Sequence, residues 1–172
     1  MPLDAYLVSL VQLIVAPFHH LGAVWLGIVP LYVSLVLGEL YKSKISFGHA
    51  VGNGFVMLWA GLNWALRLHL LHVWKYLTSP SSMRIAWLVT ASCIALGVFT
   101  IVLGLRKKDK ALCGILGHTR FSCYFLILLY PMQAQLPQME WRWSYLEAIL
   151  IFALPAWFVI YLAGRLMRTC VR

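Results

Sequence analysis

Few side chains in this sequence could carry chemistry. The acids are Asp4, Glu39, Asp109, Glu140 and Glu147, and the histidines are His19, His20, His49, His69, His72 and His118. No two acids stand close enough in sequence to act as a general acid–base pair. The chain also lacks a GxSxG, an HExxH, a P-loop and a dinucleotide fingerprint, so enzymatic activity is not expected. His69 and His72 share a helix face and His19 and His20 are adjacent, but no thiol or carboxylate complements them, so no metal centre is expected. A b-type haem or a pigment would need one histidine from each of two helices at similar depth. Only His49 and His118 approach that pattern, which leaves a haem- or pigment-binding membrane subunit as a second alternative. The four cysteines, Cys93, Cys113, Cys123 and Cys170, form no CxxC pair and read as reduced structural thiols.

The stretch "GILGHTRFSCYFLILLYPMQ" (Gly114 to Gln133) holds the most informative charge. His118 and Arg120 stand at the threshold of a strongly apolar run. An arginine there either snorkels to a polar boundary or pairs with a carboxylate. Glu39, at the end of another apolar segment, is the natural partner. His49 begins a third segment at comparable depth. Glu147, just inside the last segment, is expected to pair with a base such as Arg67, Arg84 or Arg142.

These residues must be positioned by helices in lipid. Of the 172 residues, 62% are hydrophobic and only 11% are charged. A water-soluble domain averages about 45–50% apolar and about 25% charged. A spanning helix needs about 20 apolar residues. Segments 21–40, 85–105 and 145–167 meet this, the last with a kink expected at Pro155. Segments 47–66 and 115–136 are more polar. The first stretch, "DAYLVSLVQLIVAPFHH", is short and reads as an interfacial or re-entrant helix. The expected architecture is therefore all-α: a polytopic integral membrane helix bundle of about five spans, or six if residues 3–18 cross. It forms one domain over residues 1–172. The opening residues carry no basic cluster, so a cleaved signal peptide is not expected.

The net charge of +9 lies in short clusters between apolar segments, including "RKKDK" (Arg106 to Lys110). That pattern suits a lipid surface and not nucleic acid, which would require a basic stripe with aromatic motifs. Lys42, Lys44, the Arg106–Lys110 cluster, Arg165, Arg168 and Arg172 fall on one predicted side. Arg67, Lys75, Arg84 and Arg142 fall on the other. The positive-inside rule then places the C-terminus in the cytoplasm and the loop "HLLHVWKYLTSPSSM" outside. Trp74, Tyr76, Trp141 and Trp143 suit the outer headgroup belt. Short loops and the basic bias fit a bacterial cytoplasmic membrane.

Within 47–67, His49, Asn53, Val56, Ala60, Asn63 and Arg67 follow alternating spacings of four and three, which aligns them on one helix face. This polar seam is expected to point into the bundle. Gly48 and Gly52 form a GxxxG pair on a second face, and Ala50, Gly54 and Gly61 lie on a third; small residues allow close helix approach. The favoured reading is a non-catalytic subunit or assembly scaffold of a larger membrane complex, with the bilayer and other subunits or further copies as partners. An oligomeric transporter or channel using the seam is the alternative, with Pro30, Pro131 and Pro155 as possible helix breaks.

Overall fold

The computed structural model describes residues 3–40, 47–73, 80–107, 109–134 and 141–171. Within them the chain forms α1 (Leu3–His19), α2 (Leu21–Leu40), α3 (Phe47–Val73), α4 (Pro80–Arg106), α5 (Lys110–Leu116), α6 (Thr119–Gln133), α7 (Trp143–Ile151) and α8 (Ala153–Val171). No strand occurs among the described residues. Lys42, Lys44, Trp74, Lys75, Tyr76, Lys108, Glu140 and Arg172 lie outside them. One described helix, Ser81–Arg106, is long and apolar enough to cross a membrane, and the pair α7–α8 forms a second such segment if its bent halves are one span.

The chain divides into two units. The first is assembled from Met1–Lys44, Thr119–Met139 and Ser144–Arg172, that is, from α1, α2, α6, α7 and α8. Its centre is α6, most of whose side chains are buried, including Leu126, Ile127, Leu128 and Met132. A helix that is apolar on every side has no solvent face and must be surrounded. α1, α2 and α8 pack on it. Tyr130 lies over Gly27 of α2, where any side chain would collide with the ring. The Tyr124 hydroxyl donates to the Ile149 carbonyl of α7 at 2.8 Å. Tyr145 of α7 in turn donates to Gln12 of α1 at 3.2 Å.

The second unit comprises Ile45–His118 and Glu140–Trp143. It is an antiparallel pair, α3 against α4, with α5 seated on both. Glycine permits the backbones to touch. A Cβ on Gly97 would stand 2.6 Å from the Leu58 nitrogen and 2.9 Å from the Gly54 carbonyl oxygen. One on Gly104 would stand 2.9 Å from the Phe47 carbonyl oxygen. Cys93 donates its thiol to the Met57 carbonyl at 3.3 Å, and Ser82 donates to the Trp141 carbonyl at 3.1 Å.

The fold departs from several expectations. The segment 115–136 is not one helix. α5 ends at Leu116 and Gly117 caps it, its N–H bonding back to the Cys113 carbonyl at 3.0 Å. A Cβ at Gly117 would stand 2.6 Å from the Ala50 Cα, so the turn presses its backbone against α3. α3 runs on to Val73, past the expected end at Leu66. Pro30 and Pro131 sit inside continuous helices, whereas the last segment breaks at Phe152 with a bend of 51°. Pro155 explains that position: it cannot donate to the Ile151 carbonyl, and its ring crowds it.

The largest correction concerns the face of α3. The buried stripe is Ala50, Gly54, Met57, Gly61, Trp64 and Leu68, one residue on from the predicted polar seam. His49, Val56, Asn63 and Arg67 are exposed, and Asn53 and Ala60 are half-buried. Gly48 and Gly52 are exposed too. Gly54 and Gly61 let α4 approach this face to backbone contact, and polarity does not decide the face.

Gly54→Val and Gly97→Val should therefore each lower stability by about 1–3 kcal/mol or more, since backbone blocks the added methyls. Gly52→Val, whose Cβ would meet open space, should stay within about 0.5 kcal/mol of the wild type. Thermal unfolding followed by circular dichroism measures the contrast.

Candidate functional site

Helix ends ordinarily attract the opposite charge: acids favour the N-terminal turn and bases the C-terminal turn. Two residues of the first unit break this rule. Glu39 occupies the last turn of α2, and Arg120 occupies the first turn of α6. Each is unfavourably placed with respect to its own helix dipole, so the reason for both must lie in each other. The Arg120 Nε donates to Glu39 Oε1, and Nη2 donates to Oε2 at 2.6 Å. The two side chains are 4% and 3% exposed.

Neighbouring elements are shaped around this pair. The Tyr161 ring of α8 lies 5.2 Å from the Arg120 guanidinium carbon, in cation–π range. One turn on, α8 presents Gly164 to Glu39. A Cβ there would stand 3.0 Å from the Glu39 Cβ and 3.1 Å from its Cδ. On the other flank, a Cβ at Gly38 would meet the Thr119 side chain at 3.3 Å. The site is thus a bidentate ion pair joining α2 to α6, with α8 closing over it through one aromatic ring and one glycine. Chemically it is a neutralised couple in a low-dielectric setting, suited to fixing helices in register.

The other predicted residues are distributed elsewhere. Glu147 is exposed and accepts from the Tyr6 hydroxyl at 2.8 Å, tying α7 to α1. Asn53 donates its amide to the Gly117 carbonyl and so holds the end of α5 against α3. The exposed residues of the seam, His49, Asn63 and Arg67, do not line the buried face of α3. His118 is half-buried just beyond the α5 cap, and its N–H bonds to the Ile115 carbonyl at 3.3 Å. Gly54 and Gly61 are contact points for α4, while Gly48 and Gly52 are not. Among the described residues, no group of three or more histidines, cysteines or acids is arranged to hold a metal ion. Cys113 is buried, and burial together with the nearby Asp109 carboxylate pushes its thiol up, which keeps it protonated at neutral pH.

Sequence reasoning did not reach Tyr161 and Gly164. Their spacing of three places them on one face of α8, but nothing in their types marks them off from the apolar residues around them. No protein-family model, curated protein or solved structure matches the chain.

Removing one partner of a buried pair leaves an uncompensated charge. Arg120→Met and Glu39→Leu should each cost about 3–5 kcal/mol. The double variant Glu39→Leu with Arg120→Met should recover much of that loss. A double-mutant cycle on thermal unfolding tests this, and additive losses would show that the two side chains are not coupled.

Proposed function

We propose that the chain is a multi-pass helical membrane protein and serves as a non-catalytic subunit or assembly scaffold of a larger membrane complex. The carrying observation is its inverted distribution of polarity. Glu39 and Arg120 are buried, while Leu154 is 82% exposed, Leu105 66% and Trp59 63%. A water-soluble monomer seldom leaves so much apolar surface open. In hydrocarbon the same surface is already in its preferred solvent, and charges must be turned inward and paired.

Element lengths support the reading. At 1.5 Å per residue, the 27 residues of α3 and of α4 extend about 40 Å, enough for a core about 30 Å thick. The 15 residues of α6 reach only about 22 Å and are wrapped by other helices. α1 fits the interfacial or re-entrant role, and α7 with α8 a broken span. The charge bias supports a cytoplasmic C-terminus, and a bacterial cytoplasmic membrane suits the short connections.

A subunit role is supported by the open face of α3. Gly48, Gly52, Phe55, Trp59, Asn63 and Leu66 share one exposed face. The stacked pair Phe55–Trp59, with centroids 6.3 Å apart, stands between the unpacked GxxxG and the Asn63 amide. A side-chain amide facing lipid gains most by bonding to another helix. One observation favours a second reading: the break at Phe152 is of the kind that discontinuous transporter helices use around a substrate.

Extraction of the native protein in mild detergent separates the two. The subunit reading expects other chains to co-purify in fixed ratio and the absorbance spectrum to lack a Soret or pigment band. Recovery of the chain alone, or only as a homo-oligomer, overturns it in favour of transport. A Soret band overturns both and points to His49 and His118.

A further inference from the structure

The corner between α4 and α5 combines exposed positive charge with an exposed apolar helix face. α4 ends at Arg106, and both Arg106 and Lys107 are exposed. Lys107 adopts φ 52°, a left-handed conformation that turns the chain sharply out of α4. Asp109 then caps α5, accepting from the Ala111 and Leu112 N–H groups at 3.0 and 2.9 Å. The stretch "RKKDK" holds one acid among four bases, and that acid is engaged by the cap.

α5 itself is two-sided. Cys113 faces inward against the α3–α4 pair and is 2% exposed. Ala111, Leu112 and Ile115 face outward, with Leu112 40% and Ile115 53% exposed. At 100° per residue these three form one continuous apolar strip. A short helix with apolar residues outward, directly after a basic turn, has the character of a segment lying in the plane of a membrane surface. The occupant that matches both halves is the headgroup layer of an anionic leaflet, its phosphates facing the bases and its upper acyl carbons facing Leu112 and Ile115.

We infer that the α4–α5 corner is a docking surface for anionic phospholipid headgroups, with Arg106 and Lys107 as principal contacts and Leu112 and Ile115 holding α5 at headgroup depth. This rests on the membrane reading above and adds a lipid preference to it. Each base near an anionic surface contributes up to about fivefold in preference.

The test uses the full chain reconstituted into phosphatidylcholine vesicles containing spin-labelled phosphatidylglycerol or spin-labelled phosphatidylcholine. The motionally restricted fraction gives the relative association of the two lipids. The wild type should prefer phosphatidylglycerol. Arg106→Gln with Lys107→Gln should reduce that preference several-fold, Arg106→Lys with Lys107→Arg should keep it, and Arg67→Gln with Arg84→Gln, at the far ends of α3 and α4, should leave it unchanged. No preference in the wild type, or one that survives the first pair of substitutions, overturns the inference. A chain that stays in the aqueous phase and does not enter the vesicles would instead overturn the membrane reading itself.

Discussion

The bond between Glu39 and Arg120 sets the terms on which the first unit can exist. A lone carboxylate or guanidinium at that depth would be strongly unfavourable, so α2 and α6 cannot separate without exposing an unmatched charge. α8 depends on the same bond, because its Gly164 reaches the carboxylate and its Tyr161 reaches the guanidinium. The placement of both charges against their own helix dipoles shows that local preference yields to the long-range contact. One polar couple therefore ties α2, α6 and α8 together at one level.

The second unit solves the same problem by different means. Its two long helices carry no buried ion pair among the described residues. They approach until backbone meets backbone at Gly54, Gly97 and Gly104, and dispersion over that close contact replaces electrostatics. Small residues at the contact are what allow two helices to approach this closely. The buried hydroxyl of Thr100 bonds within its own helix to the Leu96 carbonyl at 2.7 Å.

Much of this could be read from residue types. The limits of α2, the apolar core of α4 and the pairing of Arg120 with Glu39 followed from hydropathy, depth and the scarcity of acids. The orientation of α3 did not. Its polar residues and its small residues occupy neighbouring faces, and polarity does not mark the interior. The face that carries Ala50, Gly54 and Gly61 is the buried one, because its glycines let α4 come to backbone contact there. The break at Gly117 escaped because the apolar run resumes directly after it. Only the contact with Ala50 explains why a glycine must stand there.

The order of segments along the chain gives the ion pair a history. Glu39 and Arg120 are 81 residues apart, and the whole of α3, α4 and α5 is synthesised between them. At about 5–20 residues per second, Glu39 waits roughly 4–16 s for its partner. During that interval α3 and α4, adjacent in sequence and closing on glycine backbone, can complete their contact. The joining of α2 to α6 therefore waits on the arrival of Arg120, long after Glu39 has been made.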